Sequence, residues 1–308
     1  MSTHYFRLRA PRSPVPCRSA ALEHLLARSD GPFAVADWRR EAFQVLAPQA
    51  RSMPGLGAAA LFAAGGSSGA LPGSSVFFAT PVHYVAEMSN VRLASDGIVH
   101  LNPDEAAALA GDFNRIWHDA GVRLWSAAAG GLFAIFARPH PAVTQDPEAV
   151  LGRHIDQYLP AGADAARLRQ LMSEIEMWLF DHSVNRRRLA DAARPVTGLW
   201  FWGGGPALDS LPAMHGWTAG SDPFFAALAG TRSQWSAAHS AVIVPDGEPG
   251  SDVWRETESR WLAPAIEQLS RGRLTRIELS AGDRSFRVSA RRSWRFWQRV
   301  RPWWEYFS

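Results

Sequence analysis

The sequence predicts an α/β protein that carries an α+β insert. Two observations predict it. From residue 76 to 137 the elements read strand, strand, helix, strand, strand, the order of an α+β module. After Leu199, short apolar strand-like runs alternate with helical ones, as in a layer of parallel strands. With 308 residues, 47% of them hydrophobic, the chain can bury a sizeable core in one large or two ordinary domains. The expected division is an N-terminal part of the α/β core over 1–75, partly irregular, and a cap-like α+β insert over 76–140. A helical connection over 141–195, a C-terminal α/β core over 196–290 and a tail over 291–308 follow.

Taken in order, residues 1–20 read as irregular, spaced by Pro11, Pro14 and Pro16. Residues 20–28 and 37–46 read as short helices, the second capped by Asp37. Residues 48–75 are rich in Ala, Gly and Ser and show no clear period, with a helix expected near 58–64. Residues 76–80 and 83–88 carry β-forming types. Residues 91–93 and 98–101 flank Asp96-Gly97, a hairpin signal. Asn102 caps the next helix, with Pro103 at its first position and Asp104 and Glu105 in its first turn; Gly121 stops it. Strands follow at 122–125 and 132–137. Residues 165–180 form the clearest helix, with Leu168, Leu171, Met172, Ile175, Trp178 and Leu179 on one face. A helix at 185–193, a strand at 199–202, a strand at 241–244, a helix at 254–270 and strands at 276–279 and 285–289 complete the reading.

Composition excludes several classes of function. The one cysteine, Cys17, rules out an internal disulfide, lies in a proline-rich segment without an evident base partner, and suits a reducing compartment. The first residues have no apolar run behind their basic ones, unlike a secretory signal. No uninterrupted apolar run approaches the length of a bilayer. The expectation is a soluble, cytoplasmic protein. All 32 basic residues are arginine, and the net charge of +3 is too small to imply nucleic-acid binding.

Charge and aromatics converge at the C-terminal end. Arg291, Arg292, Trp294, Arg295, Trp297 and Arg299 interleave, a pattern that suits a protein partner or an anionic lipid surface. Nucleic acid is the least favoured occupant. The other reading is that the aromatic rings pack on the domain and the arginines are solvated.

The middle of the chain holds a distinctive string. His182-Ser183-Val184-Asn185 is followed by Arg188, Pro195 and Leu199-Trp200-Phe201-Trp202-Gly203-Gly204-Gly205. This resembles a signature of archaeal-type cofactor-independent phosphoglycerate mutases, with its spacing preserved throughout. Gly152-Arg153-His154-Ile155, Tyr158-Leu159-Pro160 and Leu171-Met172 sit where that family has similar residues. The likeness covers 81–205. The chain is also similar to the bacterial RpfE-like regulatory proteins, in the middle and in the Arg/Trp-rich end. Three positions depart from the mutase pattern: Ser183 replaces a proline, Ala192 a glycine and Thr197 an asparagine.

The resemblance implies an alkaline-phosphatase-like parallel sheet layer with an insert. It also implies a phosphoryl-transfer site with two divalent metals, such as manganese, held by Asp and His, beside a serine that takes the phosphoryl group. This sequence offers little for such a site. Asp30 and Asp37 follow no convincing strand. No histidine follows His239, and the relatives' Asp and His cluster is replaced by Ile277-Glu278-Leu279-Ser280-Ala281-Gly282-Asp283-Arg284. His215, His239 and Asp246 are open to two readings, vestigial ligands or scattered residues. The expectation is a degenerate, non-catalytic relative with a binding or regulatory role, without catalytic residues, metal ligands or cofactor. Two alternatives stand beside it: an active mutase or phosphatase with rearranged ligands, and a scaffold that docks through the C-terminal tail. His182, Asn185 and Arg188, near a helix end, are candidates for binding an anion. The competing reading makes His182 and Asn185 caps of the preceding helix and leaves Arg188 solvated or paired. Gly203-Gly204-Gly205 lacks the ending of a phosphate loop and reads as a tight turn.

Overall fold

The computed structural model describes residues 5–9, 18–35, 37–66, 72–128, 131–220, 222–229, 240–245, 252–289 and 299–307. In chain order they form β1 (Tyr5–Arg9), α1 (Ala20–Ala27), β2 (Asp30–Ala34), α2 (Trp38–Leu46), α3 (Leu56–Ala63), β3 (Ser75–Ala86) and β4 (Val91–Ile98). Next come α4 (Pro103–Ile116), β5 (Val122–Ser126), β6 (Leu132–Phe136), α5 (Ala165–Phe180), α6 (Ser183–Ala190), β7 (Gly198–Pro206) and β8 (Gly216–Gly220). The chain continues through α7 (Pro223–Ala229), β9 (Ser240–Val244), α8 (Asp252–Thr257), α9 (Ala263–Ser270), β10 (Arg276–Ala281), β11 (Arg284–Ser289) and α10 (Trp304–Phe307). Among the described residues no helix is long and apolar enough to cross a membrane. The chain divides into two compact units, Met1–Met53 with Pro212–Ser308, and Pro54–Leu211.

The first unit is built on a six-stranded sheet in the order β2-β11-β10-β1-β9-β8. β1 lies parallel to both β9 and β10, and β8 parallel to β9; β11 and β2 add antiparallel strands at one side. Side chains alternate along β1. Phe6 and Leu8 enter a core with Leu22, Leu26, Trp254 and Leu262. Arg7 and Arg9 take the opposite face. Arg7 is buried there, its Nη2 donating to Glu41 Oε2 of α2 at 2.6 Å and to its register partner Glu278 at 2.8 Å. On that face Phe43 of α2 meets Phe224 of α7. Helices on both faces of a mostly parallel sheet make this unit α/β.

β1 corrects the reading of residues 1–20 as irregular. A strand with charges at alternate positions shows no apolar run, and its pairing partners come more than two hundred residues later. β2 and β8 carry equally little local signal, being short and glycine-containing.

The second unit is an α+β module. Its sheet runs β4-β3-β6-β5, with β7 also paired to β3, all antiparallel. β7, expected in a parallel layer with the later strands, here pairs with β3 from Ser75 to Val82. The expected Asp96-Gly97 hairpin is likewise corrected. β4 is continuous through it, and the chain reverses earlier, where Glu87 N–H donates to Asn90 O. Gly97 lies beside a register shift between β3 and β4, where a Cβ would come within 2.9 Å of His83 O, so the glycine marks an irregularity in the ladder.

The Ala/Gly-rich stretch without a period holds α3, whose Gly57 rests on the Phe77 backbone so closely that a Cβ would sit 2.7 Å from Phe77 C. The Gly203-Gly204-Gly205 turn is corrected in the same way. These glycines belong to β7, and a Cβ on Gly205 would lie 2.5 Å from Gly55 Cα, while one on Gly204 would collide with the Phe77 ring. The glycine run is the room that a helix start and an aromatic ring require. α4 begins with the predicted cap: Glu105 N–H donates to Asn102 Oδ1 at 2.9 Å, and Asn102 N–H donates back to Glu105 Oε2 at 3.0 Å. α5 buries Leu168, Leu171, Met172, Ile175 and Leu179, the predicted stripe.

Candidate functional site

The three residues proposed to hold an anion lie together around α6, where the fold already engages them. His182 is the N-cap: its Nδ1 accepts from Val184 N–H at 3.2 Å. Its Nε2 lies 3.1 Å from Asp112 Oδ2, which fixes the ring proton on Nε2. Asn185, 4% exposed, donates through Nδ2 to Leu179 O and Val196 O, each at 2.7 Å, and accepts from Val196 N–H at 2.8 Å. It ties the end of α5 to the strand entering β7. Arg188 donates from Nη1 to both oxygens of Glu105 at 2.8 Å, and from Nε to Arg194 O at 2.6 Å. Burial pushes the His182 imidazole below its ordinary range, opposed by the Asp112 carboxylate.

The rest of the mutase-like string behaves alike. Trp200 Nε1 donates to Gln145 O, and Trp202 Nε1 to Thr80 Oγ1, both at 2.7 Å. Thr197, at the position of the family's asparagine, accepts from Tyr84 N–H at 2.6 Å. The segment around Gly152 and Arg153 exchanges backbone bonds with Leu93.

A different constellation sits in the first unit, at the carboxyl ends of its parallel strands. β1 ends at Arg9, whose Nη1 donates to Gly282 O in the turn after β10 at 2.9 Å. α2 runs antiparallel to the strands, because His215 N–H, just before β8, bonds Leu46 O at the helix C-terminus. Its first residues, Trp38 and Arg39, therefore lie at the carboxyl edge. The guanidinium carbons of Arg9 and Arg39 lie 4.9 Å and 4.6 Å from the Trp38 ring centroid, both within cation–π range. Arg39 Nε donates to Asp222 Oδ2 at 2.9 Å, a pair with side chains 7% and 3% exposed. Asp222 Oδ1 accepts from Phe224 and Phe225 N–H, capping α7.

Ligands of open α/β sheets bind at this edge. Here it presents two guanidinium groups on an indole; Asp222 is bound to a helix start and an arginine, and Asp37, the cap of α2, and Asp283, next to Gly282, lie at the same edge. The guanidinium pair on the indole suits an anion. Among the described residues, no group of three His, Cys, Asp or Glu side chains is placed to hold a metal ion. His215 is exposed, and His239, Asp246 and Cys17 lie outside the described residues. So do Arg291, Arg292, Trp294, Arg295 and Trp297, while Arg299 is exposed. Sequence reading missed Arg9, Trp38, Arg39 and Asp222. The one local signal was Asp37, whose cap fixes where α2 starts.

No family model matches the chain. Part of it is similar to the 2,3-bisphosphoglycerate-independent phosphoglycerate mutase of Methanothrix thermoacetophila, 30% identical over 137 residues, covering 42% of this chain and 34% of that one. Mutase 2 of Methanothermobacter thermautotrophicus is 29% identical over 141 residues, covering 43% and 35%. A probable mutase of Geobacter sulfurreducens is 38% identical over 61 residues, covering 20% and 15%. Among solved structures, the cofactor-independent phosphoglycerate mutase of Thermoplasma acidophilum superposes with a TM-score of 0.37 at 15% identity, over 93% of this chain and 89% of that one. The PH0037 protein of Pyrococcus horikoshii gives 0.42 at 10%, over 94% and 88%. The chain thus spans about a third of the length of the first two curated relatives, and its likeness to these mutases is a partial one.

Proposed function

We propose that the chain is a non-catalytic phosphoglycerate mutase-like protein with a binding or regulatory role, and that its ligand is an anion. One observation carries the reading: Arg9 and Arg39 flank Trp38 at the carboxyl edge of the parallel strands. Guanidinium is the matched donor for phosphate or carboxylate, and Arg9 and Arg39 bring two of them to one indole. A two-metal phosphoryl transfer requires the reverse, clustered carboxylates and imidazoles. The finer likeness to RpfE-like regulatory proteins, action in the cytoplasm, and docking to a protein or an anionic surface through the Arg/Trp-rich end belong to the same proposal and rest on sequence alone.

Purified protein assayed with manganese and 3-phosphoglycerate should show no turnover, and calorimetry should show no saturable manganese binding. Turnover at enzyme-like rates would overturn the reading in favour of an active enzyme with rearranged ligands. Inorganic phosphate should bind, and Arg9→Met should weaken it about tenfold; equal affinity in the variant would move the anion elsewhere.

A further inference from the structure

The second unit holds a pocket of about 140 Å³ between the end of α4, the sheet and α5. His140, Arg167 and Glu174 line it, with Trp117 and Phe136 among its walls. His140 is the unusual member. Its ring rests on Phe136, with centroids 4.7 Å apart, and meets Phe77 edge-on at 5.7 Å. Both ring nitrogens are buried and neither has a hydrogen-bond partner. Buried polar atoms in folded proteins are nearly always satisfied, so two orphans on one ring beside a cavity point to something the cavity receives. Burial pushes this imidazole below its ordinary range; Asp164 and Arg167 act on it in opposite directions. A neutral ring offers one donor and one acceptor.

The charges around the ring restrict what fits. Arg167 donates to Ala120 O at 3.0 Å, which holds its guanidinium at the pocket. Glu174 is set by Trp117 Nε1 at 3.3 Å and Gln170 Nε2 at 2.9 Å. Arg167 and Glu174 stand two helical turns apart on one face of α5, so the pocket carries one charge of each sign. A simple anion would meet Arg167 but be opposed by Glu174, and a simple cation the reverse. A cavity of this size accommodates about six non-hydrogen atoms, as an engineered cavity of similar volume holds benzene.

We propose that this pocket binds a small zwitterion, an amino acid with a short side chain, its carboxylate on Arg167 and its ammonium between Glu174 and the His140 ring. The site is separate from the anion edge of the first unit, and neither proposal rests on the other. Calorimetric titration of the full chain with glycine, L-alanine and β-alanine tests it, beside acetate and ethanolamine, which carry one charge each. The amino acids should bind saturably, and the single-charge probes about tenfold more weakly or worse. Arg167→Met and Glu174→Gln should each weaken L-alanine about tenfold. L-Alanine should also shift the His140 ring nitrogens in ¹⁵N spectra of the wild type. Acetate binding as tightly as L-alanine would overturn the zwitterion. So would the absence of saturable binding by any amino acid up to about 10 mM, which would leave the pocket to water alone.

Discussion

The two units treat their polar residues differently. In the second unit, His182, Asn185, Arg188 and Thr197 bond to helix ends, backbone groups and a buffering carboxylate, and they serve to hold α5, α6 and β7 in place. In the first unit, Arg7 and Arg39 are paired with Glu278 and Asp222, while Arg9 and Arg39 flank the Trp38 ring at the carboxyl edge of a parallel sheet, where ligands of such sheets gather. The string that resembles the mutases lies wholly in the second unit. A likeness carried by packing residues does not report the chemistry of a site in the other unit.

This contrast can be broken by substitution. The largest effect is expected at the buried pair in the first unit. Asp222→Ala takes a buried carboxylate from Arg39 and uncaps α7, and should destabilise that unit by about 4 kcal/mol. Hydrogen exchange read by mass spectrometry should locate the loss there. Combining Arg39→Met with Asp222→Leu removes both charges and should recover much of the loss; no recovery would mean the pair is more than a compensated burial. Next, Asn185→Leu should cost about 3 kcal/mol by taking the side-chain partner from both Val196 backbone groups, while Leu179 O keeps its bond from His182 N–H, with exchange rising around Val196. If this variant kept its stability but lost phosphate binding, the packing account of the mutase-like string would be wrong.

Gly204→Ala should cost about 2 kcal/mol through overpacking against Phe77, measured by denaturant midpoint. A smaller effect is expected from pH. The folded His182 has its proton affinity lowered below the unfolded value of about 6.5, so the unfolded chain binds protons first. Its contribution is complete above that value and is lost as pH falls through the folded one. His140 acts in the same direction. The melting temperature should therefore be lower near pH 5.5 than near pH 7.5, and His182→Asn, which keeps a capping side chain, should flatten the difference. An unchanged slope would assign it to other groups.

What could be read from sequence follows the range of the interaction. The Asn102–Glu105 box and the α5 stripe are local, so spacing alone located them. The Arg39–Asp222 pair joins residues 183 positions apart, and β1 takes its partners from β9 and β10, so nothing near either betrays it. Gly97 and Gly203 to Gly205 misled for a related reason. Glycine at a turn and glycine at a close approach look the same until the neighbouring Phe77 and Gly55 are in place. The candidate anion edge was illegible because Arg9 and Trp38 converge only once the parallel strands have assembled.

That long reach also sets an order of events on the ribosome. Tyr5 bonds to Ser240, 235 positions later, and Arg7 to Glu278, 271 later. At ordinary elongation rates β1 waits on the order of tens of seconds for its neighbours. Over that interval the whole of Pro54–Leu211 emerges and has every strand partner it needs. Translation arrested between the units would release a finished second unit trailing a strand whose Phe6 and Leu8 have no sheet to enter, a species that chaperones and proteases recognise.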